Sequence, residues 1–395
     1  MSEVSWEITS LSELGAFSRG KSKHRPRNDA KLFEGGKYPL VQTGDVKAAN
    51  LYITKNDSYY NDFGLKQSKL WPAGTLCITI AANIAETAIL SYPMCFPDSI
   101  VGFNANPEKS SELFVYYFFE YIKKEIQKSA SGSIQDNINI DYLSKMRIKV
   151  PEKKYQDKIV ELLSSIDKKI LLNNQINQEL EAMAKTLYDY WFAQFDFPDQ
   201  NGKPYKSSGG KMVHNPELKR EIPEGWGVEK LSHFLTIKNG KDHKHLQDGK
   251  FAVYGSGGIM RTVTDYLYSG ESILFPRKGT LNNVMYVNEK FWTVDTMFYS
   301  EVNKNNSALY VFYSVKDIDF NKLNTGTGVP SMTSSILYDL NIIVPEENIL
   351  EKFNTIVKRN YETIKLNNIQ NQELTQLRDW LLPMLMNGQV KVEVE

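Results

Sequence analysis

The chain has only two cysteines in 395 residues, Cys77 and Cys95. That scarcity excludes a disulfide framework, a cysteine-ligated metal and a redox pair. Both lie in strand-like apolar runs, the usual setting of inert core thiols. No apolar run approaches the ~20 residues of a membrane span. The opening residues, MSEVSWEITSL, carry neither the basic nor the apolar segment of a secretory signal. A soluble chain in a reducing compartment is expected. An excess of one charge is lacking too, since 47 Lys and Arg balance 47 Asp and Glu. A uniformly basic nucleic-acid binder is thereby disfavoured, and any cationic surface must be local.

Signatures of catalysis are equally missing. No Walker loop, dinucleotide fingerprint, zinc-ligand cluster or nucleophile elbow occurs. Gly255-Ser256-Gly257-Gly258 is followed by IMRTVTDY, which opens no convincing helix. A turn carrying backbone close to a partner fits it better than a nucleotide cradle. Pro198-Asp199 with Glu217 and Lys219 resembles a loose nuclease pattern, but it lies in a polar stretch with no rigid strands to hold two carboxylates on a metal. His214 and His233 have no partners at ligand spacing. No catalytic residue, bound cofactor or metal is assigned to this chain.

What the chain does contain is itself, twice. LLNNQINQELEAMAKTL starts at Leu171 and KLNNIQNQELTQLRDWL at Lys365, 194 positions later. At that offset Asn173 meets Asn367, Asn174 meets Asn368, Asn177 meets Asn371 and Leu180 meets Leu374. Val150-Pro151-Glu152 and Val344-Pro345-Glu346 keep the register, and Gly132 falls on Gly326. Self-similarity of this kind means two like halves and outranks local signals. A composition of 41% apolar and 12% aromatic residues is globular, and the length fits two domains with connecting elements.

Residues 1–151 hold short β-branched runs bounded by Gly, Pro and Asn, with one helical stretch, FVYYFFEYIKKEIQK, from Phe114. Residues 223–345 repeat that programme. The fold class expected is α+β, with two similar heads. Long helical stretches follow each head, over 152–195 and 346–390, and the polar segment 196–222 reads as a flexible connector. In the first stretch Ile159, Leu162, Ile166, Lys169, Asn173, Ile176, Leu180, Met183, Leu187 and Tyr190 alternate at spacings of three and four. In the second, Phe353, Ile356, Asn360, Thr363, Asn367, Gln370, Leu374, Leu377, Leu381 and Met384 do the same. Sustained heptads of this kind predict a coiled coil, with polar seam residues fixing register and partner. A single amphipathic helix packed on its own head is the alternative, although such helices are usually shorter.

Cations cluster at matching places. Trp6 to Gly20 and Trp226 to Gly240 each span 14 residues. Arg19, Lys21, Lys23, Arg25 and Arg27 surround the first glycine, and Lys238, Lys241 and Lys244 surround the second. Thr43 and Ser256 precede the paired glycines Gly44 and Gly257. Arg277, Lys278, Thr280, Asn282 and Asn283 form one loop of the second half, and Thr79, Asn83 and Glu86 the corresponding loop of the first. Cations beside glycines suit phosphate contacts, and Arg, Lys, Asn and Gln suit base edges. Like scaffolds with unlike loops predict two different short DNA sequences.

LNNQINQELEAMAKTLYDYWFAQFDFP paired with LNNIQNQELTQLRDWLLPMLMNGQV resembles the specificity subunit of type I restriction-modification systems. CFPDSIVGF, and PRKGTLNNVMYV with FWTVDTMFY, are similar to that family's target-recognition domains. The resemblance implies two such domains separated by two long antiparallel helices in a pseudo-twofold repeat. It implies that each domain reads one half of a bipartite site on double-stranded DNA, with the helices spacing the halves. Two methyltransferase subunits would dock on the helices, and two restriction subunits would join for cleavage. S-adenosylmethionine, ATP and magnesium would belong to those partners, in a prokaryotic cytoplasm. Pro383 departs from the repeat and predicts a kink or end of the distal helix. Helices of ~40 residues reach roughly 60 Å at 1.5 Å per residue, beyond the ~34 Å of one DNA turn. The rival readings are a coiled-coil adaptor that binds only proteins, and a chain that methylates or cuts DNA itself.

Overall fold

Alternation decides which strand residues go where. In the first head Leu76 and Ile78 face a core shared with Phe114–Phe119, while Cys77 between them faces a second cluster with Trp71, Phe96 and Ile100. Every residue of Leu76–Thr79 and Thr87–Leu90 is buried. Strands covered on both faces are built from unbroken apolar runs, because successive side chains point to opposite sides. Burial pushes the Cys95 thiol up to about 11 and raises that of Cys77 further, so neither is a ready nucleophile at neutral pH.

The computed structural model describes residues 4–131, 139–326 and 328–392; Gly132, matched above to Gly326, lies outside them. The chain divides into two units, Met1–Asn173 with Ile369–Glu395, and Asn174–Asn368. In the first head Gly15–Arg19, Ile100–Ala105, Leu76–Thr79, Thr87–Leu90 and Tyr52–Ile53 lie side by side in that order. Neighbours are antiparallel until the last pair, which is parallel. In the second head Leu235–Asn239, Met297–Val302, Tyr268–Pro276, Met285–Thr293 and Asp248–Gly255 follow the same order, again parallel at the last pair. Trp6–Ser10 with Arg147–Pro151, and Gly227–Lys230 with Asn341–Val344, add a two-stranded pair to each. One helix packs on each main sheet, Glu112–Ser131 and Ala308–Lys316. The α+β repeat read from the sequence is thus a repeat of topology.

The heads differ in what is added to the shared frame. The first carries a four-stranded accessory sheet, Ser58–Tyr60, Tyr38–Leu40, Met94–Cys95 and Leu70–Trp71. The second extends its main sheet with an edge strand, Gly258–Val263, which forms a hairpin with Asp248–Gly255.

The central helix runs Lys153–Tyr188 and the distal helix Glu347–Met386. Within the first unit Arg378 Nη1 meets Asp167 Oδ1 at 2.8 Å, and Asn173 Nδ2 donates to Gln370 Oε1 at 2.8 Å and Asn371 Oδ1 at 2.9 Å. Within the second, Asn177 donates to Asn368 at 2.9 Å and accepts from Asn367 at 2.8 Å, and Asn360 donates to the Leu180 carbonyl at 3.2 Å. Numbers rise on one helix as they fall on the other, so the segments pair antiparallel in each unit. Asn173·Asn371 and Asn177·Asn367 are the same contact in the two copies, because Asn367 is the counterpart of Asn173 and Asn371 that of Asn177.

The seam is displaced by one residue at every second position. Ile159, Ile166, Asn173, Leu180 and Leu187 are buried or half-buried, as are Phe353, Asn360, Asn367, Leu374 and Leu381. Their seam partners are Leu163, Ile170, Asn177 and Ala184 on one helix, and Val357, Ile364, Asn371 and Arg378 on the other. Ile176, Met183 and Leu377, expected in the helix pair, are 36%, 61% and 43% exposed. The apolar side chains at those positions mislead, because the alternatives that turn inward, Asn177, Ala184 and the half-buried Arg378, are polar or small. Spacings of three-four and four-three fit a heptad equally well.

The distal helix ends at Met386, three residues past Pro383, in keeping with the stop expected there. One further expectation is corrected. The segment 196–222 is folded, not a loose tether: Met212–Asn215 pairs with Arg220–Pro223. Asp196 accepts from the Ser207 amide at 2.7 Å and hydroxyl at 2.6 Å, and Phe197 stacks between Tyr205 at 4.7 Å and Trp226 at 4.8 Å. A π-helical turn over Asp189–Ala193 puts the adjacent Trp191 and Phe192 both into the second head's core. Burying each large side chain is worth ~1.5–3 kcal/mol, which outweighs the polar composition around them.

Candidate nucleic-acid interface

Gly20 and Gly240 set the basic loops. A Cβ on Gly20 would sit 2.3 Å from the Pro97 carbonyl oxygen, and one on Gly240 2.0 Å from that of Val294. Only glycine allows this approach. The Gly20 N–H donates to Ile100 O at 2.8 Å and the Gly240 N–H to Met297 O at 2.9 Å. The chain therefore leaves both sheets at the same point and in the same way.

In the first head Arg19, Lys21, Lys23, Arg25 and Arg27 are all exposed. The loop is knitted to itself: Arg25 Nη1 donates to Ser22 O at 2.6 Å and His24 O at 2.8 Å, and His24 Nε2 lies 2.8 Å from Asp29 Oδ2. That bond, then the Lys31 amide, holds the Asp29 carboxyl below its usual range. Arg27 pairs with Asp98 at 2.6 Å, with Arg25 also 3.8 Å from it, so two arginines share one carboxylate and a net positive charge remains. Arg27 and Thr43 line one cleft of about 270 Å³, with Gln42, Tyr60 and Ser99. Asn83 is half-buried.

Thr79 is not a reading residue, because it is fully buried. Its hydroxyl donates to the Asn83 carbonyl and accepts from the Glu86 amide at 2.9 Å, shaping the loop. Ala82 and Ala85 in that loop have φ of 64° and 60°, a backbone region that costs roughly 1–3 kcal/mol per residue. Glu86 is turned aside into a pair with Lys123 at 2.6 Å.

The second head supplies cations from the matching loop and from a second one. Lys241 and Lys244 are exposed, while Lys238 lies 3.7 Å from Glu301. The Arg277 N–H donates to Thr296 O at 2.8 Å, as the Ile80 N–H does to Ser99 O at 2.9 Å. The turn that carries Ile80-Ala81-Ala82 in one head therefore carries Arg277-Lys278-Gly279 in the other. Gly279 takes φ 90°, where Ala82 takes 64°. Asn283 donates to Ser256 O at 2.8 Å, which brings Ser256, Arg277, Lys278 and Thr280 around one turn. Asn282 is drawn away to Asp319 at 3.1 Å.

Sequence reading missed the segment that backs this turn. The Gly279 N–H donates to Pro330 O at 3.0 Å, the Met332 N–H to Arg277 O at 2.9 Å, and Lys278 bridges Ser331. Asn324 Oδ1 closes that segment by accepting from the Gly326 and Ser331 amides, both at 2.8 Å. The pairing of Gly326 with Gly132 was the available signal. Among the described residues no group of three His, Cys, Asp or Glu could hold a metal ion, and no helix is long and apolar enough to cross a membrane.

Residues 3–182 and 223–376 match the type I restriction modification DNA specificity domain. The MjaIX specificity subunit of Methanocaldococcus jannaschii, a type I restriction enzyme component, is 27% identical over 98% of this chain and 94% of its own. The HindI specificity subunit of Haemophilus influenzae is 24% identical over 92% and 97%. The type I restriction-modification S subunit from M. genitalium, a crystal structure, shares the fold with a TM-score of 0.61 at 17% identity, over 100% of this chain and 98% of that one. The chain belongs to the type I restriction-modification specificity subunits, with two DNA specificity domains in one polypeptide.

Proposed function

We propose that each head reads one half of a bipartite, asymmetric DNA site, and that the paired helices set the gap between the halves. The observation that carries this reading is the shared turn with unlike chemistry, Ile80-Ala81-Ala82 against Arg277-Lys278-Gly279 on equivalent backbone. A common frame puts a loop at the same place in each head, and different side chains there select different base edges. Methyltransferase subunits dock on the apolar side chains the helices leave exposed, Ile176, Met183, Ile356, Leu366, Leu377 and Trp380 among them. Two restriction subunits complete the assembly, in the cytoplasm. S-adenosylmethionine, ATP and magnesium belong to those partners, and this chain performs no chemistry.

Mapping methylated positions in a genome carrying the gene, with and without it, tests the proposal. A split motif is expected, and swapping the Arg277–Asn283 loop should alter one half only. An undivided motif, or changes in both halves, would overturn it. Methyl transfer from labelled S-adenosylmethionine by the chain alone would instead make it an enzyme. DNA affinity that ignores ionic strength would favour the protein-only adaptor.

A further inference from the structure

Among the described residues of the second head, four large apolar side chains stand exposed, Ile259, Met260, Tyr266 and Val329. Three of them flank the Arg277–Gly279 turn. Ile259 and Met260, 64% and 60% exposed, begin the edge strand just past the hairpin tip. That tip is fixed to the turn by Asn283 on Ser256 O at 2.8 Å, and a Cβ on Gly279 would meet Ser256 Oγ at 2.9 Å. On the other side Val329, 62% exposed, precedes Pro330, whose carbonyl accepts from Gly279. Hairpin, turn and Asn324-closed loop therefore form one pinned surface, apolar at both margins and cationic in the middle. Arg277 and Lys278 have no carboxylate within ion-pair distance among the described residues; the nearest ring to the guanidinium is Phe298, at 5.9 Å.

We infer that Ile259, Met260 and Val329 contact thymine C5-methyl groups in the major groove of the target DNA, while Arg277 and Lys278 meet phosphates or purine edges beside them. The inference rests on the DNA-reading function proposed above. Unpaired cations call for an anionic partner, and exposed apolar side chains call for an apolar one. The major groove offers both, since thymine alone among the bases presents a methyl group there. A two-stranded ribbon such as Asp248–Gly255 with Gly258–Val263 fits the width of that groove. Tyr254 pairs with Ile259 and Gly255 with Gly258 across the ribbon, so the apolar pair sits at its leading end.

The test uses the full chain in complex with its modification subunits and a duplex bearing the mapped site. Each thymidine in turn is replaced by deoxyuridine, which removes only the methyl group. At one or more positions affinity should fall about fourfold per methyl, the loss expected from one buried methyl-sized group. In Ile259→Ser/Met260→Ser, or in Val329→Ser, that thymine preference should vanish while thermal stability and complex assembly persist. A site without thymine at any position, wild-type affinity indifferent to uracil, or a preference surviving both variants would each overturn the inference. Loss of subunit assembly with the preference intact would make this a protein-docking face and would also overturn it. If the wild-type complex shows no sequence-specific binding at all, the DNA-reading function fails first, and the two failures are told apart.

Discussion

Replacing Arg378 by Met probes the contact that fastens the distal helix to the first head. Asp167 is buried, its side chain 8% exposed, and accepts from Arg378 Nη1 at 2.8 Å and from the Tyr117 hydroxyl at 2.6 Å. Burial first, and then the Asp167 charge, push the Tyr117 hydroxyl well above its ordinary pKa, so it remains a donor. Removing one member of a buried ion pair costs ~3–5 kcal/mol, because the other charge is left without compensation. The second donor survives and Arg378 is a quarter exposed, so the lower end, about 3 kcal/mol, is expected. The contact of Arg378 with Asp379, itself 62% exposed, adds little. Two units need not unfold as one transition, so local opening is the better assay. Hydrogen exchange of the distal helix between residues 370 and 386 should accelerate about 100-fold, at a decade per 1.4 kcal/mol. A triple variant with Asp167→Leu and Tyr117→Phe added should recover most of that protection, since apolar replacement of a whole buried network is often neutral or better. An acceleration below tenfold, or a triple variant as damaged as the single one, refutes the reasoning.

Three other outcomes follow from the same geometry. Ala184→Asp should destabilise the second unit by ~3 kcal/mol or more through a buried unpaired charge, whereas Met183→Asp should stay within about 0.5 kcal/mol; equal shifts in thermal unfolding would refute the displaced seam. Arg277→Ala with Lys278→Ala should flatten the slope of log affinity against log salt by roughly 1 to 2, about 0.9 per lost phosphate contact, and an unchanged slope would remove the loop from the DNA. Glu13 is held at about pKa 2, against 4.5 ordinarily, by hydrogen bonds from the Thr9 hydroxyl and then the Ser10 amide and hydroxyl. A depressed carboxylate contributes above its unfolded pKa and loses that contribution as pH falls through the folded one. The melting-temperature deficit of Glu13→Gln should therefore be full at pH 6 and shrink between pH 5 and pH 3; a deficit constant with pH sinks the assignment.

Much of the architecture was legible in the chain because duplication is a property of order alone. Asn173 on Asn367, the Trp-to-Gly spacings and the two Val-Pro-Glu junctions announce two like units before any contact is known. The basic loops were legible too, since exposed cations beside an obligatory glycine keep their identity whatever surrounds them. The seam was half legible. A heptad fixes every seventh position, but one-dimensional spacing cannot choose between the residue three places on and the one four places on.

Tertiary structure made the remaining choices. It turned Ile176 and Met183 outward and Asn177 and Ala184 inward, because Asn177 finds amide partners on the facing helix and Ala184 packs into the second head's apolar core. It folded the polar segment 196–222 through Phe197, which stacks on both Tyr205 and Trp226, and it drew Thr79 inside to brace its own loop. Composition and repeat therefore determined that there are two related units and where their cations lie along the chain. Which side chains face partners depended on contacts between residues distant in sequence, and the free energy of those contacts is not a property of any local stretch.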